Sequence, residues 1–264
     1  MSYDFDSNCM DIKKVNKVYS DTKMVVIRNA LDKKKIEKLR KKAQKEFEYL
    51  NSIKDSLSDS DKNTLFRCEM PILDENKSLR TSKEIFEIYS ESKIPELLNI
   101  LNNDECLWHY PAQFRKLLLK QEHGLLPYHQ DYFYNSRYEN ITICFTSLQE
   151  CGVNSPSIEF IDSVTDEKLS HEGNEIWEFG LSDKVMAPIL KTSTKQVIEL
   201  NQGDVVLFDA YKIHRTHFTK SMQEERYSVD VRAIPKRFIS DLDYKKRKYI
   251  DIKSVKFKGL NNEQ

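Results

Sequence analysis

The amino-acid sequence predicts a mainly β protein with flanking helices, its core a double-sheet jelly roll of cupin-like type. Apolar residues recur at helical spacing in the N-terminal third. From about residue 107 the chain changes to short runs rich in β-branched and aromatic side chains, separated by turn-prone stretches. At 264 residues there is room for one substantial core. We read residues 1–264 as one domain: a mainly helical part over 1–106, the jelly-roll core over 107–235 and a C-terminal extension over 236–264.

In chain order, residues 24–30 (MVVIRNA) read as a short strand. Asp32 then caps a helix in which Ile36, Leu39, Ala43, Phe47 and Leu50 share one face and Lys and Glu cover the other. Residues 52–63, rich in Ser and Asp and without periodicity, are expected to form a loop or lid element. Two shorter helices are predicted near 82–90 and 94–102, the second opened by Pro95 in its first turn. Strands are predicted over 113–120, 141–148, 157–161, 196–200, 204–208 and 227–234. The long segment 162–195, with His171, Glu172, Gly173, Asn174 and Trp177, has little pattern. It is expected to be an inserted loop that closes over one mouth of the barrel.

Forty-two basic residues balance forty-two acidic ones, which argues against a nucleic-acid partner. The five cysteines, Cys9, Cys68, Cys106, Cys144 and Cys151, are scattered and contain no CxxC pair, so a reducing cytoplasm is expected and a disulfide scaffold is not. Cys144 and Cys151 read as buried small side chains. The first residues lack an apolar signal core, and no run approaches the length of a membrane span.

Chemistry concentrates in three places: His129-Gln130-Asp131, then His214, then Arg226-Tyr227-Ser228. Two imidazoles and one carboxylate suit a mononuclear iron(II) site that keeps coordination positions open. On an extended strand His129 and Asp131 would point to one face. Alone, a His-x-Asp is commonly a hydrogen-bonded surface pair. Its value rises because 203–209 (GDVVLFD) reads as a turn and strand leading to His214, and a jelly roll lays a late strand beside an early one. Arg226, Ser228, Asp230 and Arg232 alternate along the last strand. Arg226 offers a planar fork to a carboxylate and Ser228 a further hydrogen bond, whereas Asp230 and Arg232 read as a structural pair or as support.

Taken together, His129-x-Asp131, the Gly-Asp-x-x-x-Phe strand before His214, and Arg226-x-Ser228 resemble the iron(II)/2-oxoglutarate dioxygenases. Gln130 and the His214-Arg215-Thr216 tripeptide resemble the phytanoyl-CoA hydroxylase-like branch. The resemblance spans roughly residues 107–235. It implies a double-stranded β-helix that uses Fe(II), 2-oxoglutarate and O2, releases succinate and CO2, and hydroxylates an unactivated C–H bond. His129, Asp131 and His214 would be the iron ligands, and Arg226 with Ser228 would bind the far carboxylate of 2-oxoglutarate. Thr142 or Thr146 would assist from a neighbouring strand, and Arg115 or Lys120 would contribute a charge. With Asp131 present, hydroxylation is implied rather than halogenation.

His217 is the alternative to His214, which follows the strand at the expected place. His109, His123, His171 and His217 are given no metal role. The aromatic group Tyr128, Tyr132, Phe133, Tyr134 and Tyr138 is read as a mixture of core and substrate-pocket wall. The expected partner is a small polar metabolite, such as an amino acid or biosynthetic intermediate. Two other readings remain: a cupin-type metalloenzyme that does not use 2-oxoglutarate, and a non-catalytic jelly-roll binding or regulatory protein.

Overall fold

The structure, a computed structural model, describes residues 3–119, 125–133, 141–165, 167–172 and 180–259. Among them, two sheets face each other and helices cover one side. The larger sheet contains β1 (Asp4–Asp6), β2 (Met24–Arg28), β8 (Val205–Asp209), β5 (Thr142–Ser147), β10 (Arg226–Pro235), β3 (Cys106–His109), β11 (Tyr249–Asp251) and β12 (Phe257–Lys258) in that spatial order. Strand β4 (Gln113–Leu117) also pairs with β10. The smaller sheet runs β7 (Lys195–Ile198), β6 (Ser157–Ile161), β9 (His214–His217).

Period-two alternation explains the layers. On β2, Val25 and Ile27 face the helices while Met24 and Val26 face the smaller sheet. On β8, Val205 and Leu207 pair off likewise against Val206 and Phe208. A strand buried on both faces reads as a continuous apolar run, which is why MVVI and VVLF lack polar alternation. Between the sheets Phe160 packs edge-on to Phe208, with ring centroids 5.1 Å apart.

Behind the larger sheet lie α1 (Ile12–Thr22), α2 (Lys33–Ser52), α4 (Glu84–Ser90) and α5 (Ile94–Asn102). Helix α2 starts where expected, with the Asp32 carboxylate accepting from the Lys35 N–H at 2.9 Å, and it buries the five residues named above. Phe47 meets Tyr227 of β10 edge-on at 6.1 Å.

Several expectations are corrected. The stretch 52–63 is not a loop throughout, because α3 (Asp59–Phe66) begins within it. Ser58 Oγ accepts from the Asp61 N–H, so the Ser and Asp content marks a helix start. Only Leu65 of α3 is buried, which leaves no periodicity to detect. Segment 162–195 contains α6 (Asp183–Thr192), interrupted in pattern by Pro188. The predicted strands 113–120 and 196–200 are shorter than expected and shifted at their ends. Residues after 235 supply α7 (Asp241–Lys246) and β11, which joins the larger sheet against β3. Among the described residues, no helix is long and apolar enough to cross a membrane.

Candidate metal centre

The two sheets enclose a cavity of about 290 Å³, and His129, Asp131 and His214 stand in its wall. One ligand atom from each lies within 4.8 Å of the others, and all three residues are buried. His214 opens β9, held by pairing with Phe160 and by ring contact with Phe208 at 4.8 Å. His129 is brought to it by a two-residue bridge in which His129 N donates to His214 O at 2.9 Å and His214 N to His129 O at 3.1 Å. The extended-strand expectation for His129 and Asp131 is corrected here. His129 sits in that isolated bridge, and Asp131 begins a 3-10 turn, Asp131–Phe133. The turn brings the carboxylate round to within 3.6 Å of His129 Nε2.

Both imidazoles are oriented in the same way. His129 Nδ1 donates to Pro127 O at 2.7 Å and His214 Nδ1 donates to Lys212 O at 2.9 Å. That tautomer leaves Nε2 as the basic nitrogen of each ring, which is what a metal ligand requires. Burial, with His214 adding to it, pushes the His129 pKa down to about 3, keeping the ring neutral. Burial raises that of Asp131, but His214, Arg232, His129 and Arg115 outweigh it and hold the carboxyl below its usual range. Neutral imidazoles and an ionised carboxylate are the forms that bind a divalent cation.

Between the ligands, Gln130 is fully buried and ties down the segment beyond β6. Its Nε2 donates to Tyr211 O at 2.8 Å and Glu167 O at 3.1 Å, and its Oε1 accepts from the Leu169 N–H at 3.0 Å. The Gln130 N–H donates to His171 Nε2 at 3.1 Å, and Tyr132 Oη donates to Leu169 O at 2.7 Å. Phe133 stacks on His171 at 4.6 Å. His171 is thus a packing partner of the site, and nothing in the sequence pattern marked it or Gln130 for that role.

Farther along the cavity, Arg226 is 3% exposed, with its guanidinium over the Phe145 ring at 5.0 Å. Among the described residues its only side-chain hydrogen bond is a long one to Pro156 O, 3.5 Å, and its Nε has no partner there. Burial lowers its pKa to about 10, so it stays charged near neutrality. Ser228 and Ser147 face each other across β10 and β5, and both buried hydroxyls lack partners among the described residues. Buried orphan donors carry a cost that a ligand's oxygens would relieve. Three such groups clustered on one wall fit a carboxylate. Ser147 was not foreseen; only the Ser147–Ser228 register reveals it.

The threonines expected to assist are placed elsewhere. Strand β5 turns Ile143 and Phe145 into the cavity, so Thr142 and Thr146 point to the helices. There Thr142 Oγ1 lies 3.1 Å from Tyr19 Oη and Thr146 Oγ1 lies 2.6 Å from Tyr89 Oη. Arg115 lines the cavity but is engaged by Glu69 at 2.8 Å and Asp230 at 3.4 Å. Asp230 and Arg232 do not pair with each other: Arg232 donates to Gln113 Oε1 at 3.0 Å. His217 lies against Glu159, its Nδ1 3.6 Å from the carboxylate, apart from the triad. Tyr128 donates to the same carboxylate. Lys120, His123, Tyr134, Tyr138, Gly173, Asn174 and Trp177 lie outside the described residues.

No family model matches the chain, and no curated protein matches it. Solved structures do. The chain is similar to the non-heme monooxygenase ThoJ, with a TM-score of 0.60 at 12% identity over 86% of this chain and 78% of ThoJ. It is similar to the epimerase SnoN, solved with Fe3+, alpha ketoglutarate and nogalamycin RO, with a TM-score of 0.59 at 14% identity over 85% of this chain and 83% of SnoN. It is also similar to EctD from S. alaskensis, solved with 2-oxoglutarate and 5-hydroxyectoine, with a TM-score of 0.59 at 12% identity over 86% and 76%. At such identities the likeness establishes architecture: this chain has the jelly-roll fold on which those enzymes are built.

Proposed function

We propose that the protein is a non-haem iron(II)- and 2-oxoglutarate-dependent oxygenase that hydroxylates a C–H bond of a small polar metabolite. The observation that carries this reading is the buried His129, Asp131 and His214 triad sharing one cavity with the under-partnered Arg226. The orphaned Arg226 and Ser228 donors also favour it over a cupin-type enzyme without 2-oxoglutarate. His-Gln-Asp and His-Arg-Thr keep the phytanoyl-CoA hydroxylase-like branch as our assignment within the class. The cysteines, none of them in a disulfide, support a cytoplasmic setting.

In this reading His129 Nε2, Asp131 and His214 Nε2 hold iron(II), and Arg226, Ser228 and Ser147 hold the far carboxylate of 2-oxoglutarate. When bound, iron with 2-oxoglutarate and O2 supplies the oxidising equivalents for C–H hydroxylation, with succinate and CO2 as co-products. The chain's own work is positioning. Pro127 and Lys212 carbonyls fix the two rings, Gln130 clamps residues 167–169 beside them, and Phe145 supports the Arg226 fork. The apolar walls Ile143, Phe145, Ile158 and Phe208 exclude water from the reacting space.

Succinate release dependent on iron, 2-oxoglutarate and O2 tests this. Asp131→Ala is expected to abolish it. Arg226→Ala is expected to raise the 2-oxoglutarate requirement at least about 30-fold, the effect of removing one side of a buried charged pair. Wild-type activity in either variant would remove the corresponding assignment.

A further inference from the structure

The larger sheet presents a patch of acidic and basic side chains to the cavity that holds the triad, which Arg67 also lines. Gln113 and Arg115 on β4 and Asp230 and Arg232 on β10 all line it, with Asp230 in register with Gln113. Glu69, bridged to β4 at Arg115, completes the patch. Arg115 lies between two carboxylates, Glu69 at 2.8 Å and Asp230 at 3.4 Å, so the two share that guanidinium. Beside it Arg232 donates to a neutral acceptor, Gln113 Oε1, and its buried Nε–H has no acceptor among the described residues. A carboxylate that shares its cation and a guanidinium with one buried N–H unmatched among the described residues thus stand two residues apart on one strand, both turned to the same space.

Such an arrangement is costly in a low-dielectric cavity unless something completes it. A purely structural network would pair Asp230 with Arg232; here each is directed to β4 instead. Arg226 lies on the strand beside the Ser228 and Ser147 hydroxyls and Arg215 is paired with Glu159 at 2.9 Å, so neither forms an ion pair with the patch. At about 290 Å³, shared with a co-substrate, the cavity is at the small end for ligand sites and does not suit a bulky thioester.

Resting on the oxygenase reading above, we infer that the substrate is a small amino-acid-like zwitterion, its carboxylate held by Arg232 and its ammonium by Asp230 and Glu69. The substrate's two charges are complementary to the two the wall leaves open. Its carbon skeleton then lies toward the triad, against Ile143 and Phe208.

The test loads the protein anaerobically with iron(II) and 2-oxoglutarate and checks for the visible charge-transfer band of the chelated keto acid. The loaded protein is then titrated with the common L-amino acids, their decarboxylated amines and their N-acetyl derivatives, reading both band shift and melting temperature. At least one amino acid is expected to shift the band and raise the melting temperature, with its amine and N-acetyl counterparts bound about tenfold more weakly. Arg232→Gln is expected to erase the preference over the amine and Asp230→Asn the preference over the N-acetyl form, both variants keeping the band. The inference is overturned if no amino acid binds to protein that shows the band, or if singly charged compounds bind as well. It is equally overturned if Arg232→Gln still binds iron(II) but loses the band, which would give that arginine to the co-substrate. Absence of the band in the wild-type protein would instead overturn the oxygenase reading itself, and this inference with it.

Discussion

His129 and His214 donate Nδ1–H to the carbonyl two residues back, and His171 does the same to Leu169 O at 2.9 Å. At this scale the sequence was most informative where the residue type was chemically rare. Two histidines, an aspartate and an arginine could be picked out because few other functions need them together. Serine and threonine carry no such signal. Thr142 and Thr146 were expected in the site, yet the inward residues of β5 are Ile143, Phe145 and, by alternation, Ser147. Both faces of β5 are buried, so the phase of its alternation could not be read from polarity. A different histidine offers a pH test. Burial, with Arg232 and Arg247 adding to it, lowers the His109 pKa to about 4. The unfolded chain then binds more protons between about pH 4 and 6.5, so stability falls as pH drops through that window. Denaturant midpoints across it should decline in the wild-type protein and less steeply in His109→Gln; parallel slopes would discount the histidine.

Among the elements, α2 was legible in full because its cap, its apolar face and its charged face all agreed. Replacing Asp32 by Ala should lower stability by about 1 kcal/mol in chemical denaturation, and no measurable change would remove the capping account. The 3-10 turn at Asp131 and the bridge between His129 and His214 were not legible, since both depend on a partner distant in sequence. The clamp made by Gln130 belongs to the same category. Gln130→Leu leaves the Leu169 N–H and two carbonyls without their partner. We expect faster hydrogen exchange over 167–171 and iron affinity reduced about tenfold, as for other groups that orient ligands. Unchanged exchange there would show that the segment is held by its other contacts, among them Phe133 and Tyr132 against His171 and Tyr132 Oη on Leu169 O.

For the molecule as a whole, the jelly roll converts residues remote in sequence into one wall-to-wall arrangement. The smaller sheet delivers His214, the bridge delivers His129 and Asp131, and the larger sheet delivers Arg226, Ser228, Asp230 and Arg232 from a single strand. The fold class followed from the ordering of helices and short strands. The contribution of the C-terminal residues to the larger sheet did not, because β11 is three residues long and pairs with β3 far upstream. The central claim is that this arrangement holds iron(II) and 2-oxoglutarate together. Anaerobic titration of the metal-free protein with both tests it most directly. A visible charge-transfer band is expected that appears only when both are present, is lost in Asp131→Ala, and in Arg226→Ala needs much more 2-oxoglutarate. Iron binding without any band would contradict it and favour a cupin-type site, and no iron binding would contradict the metal centre itself.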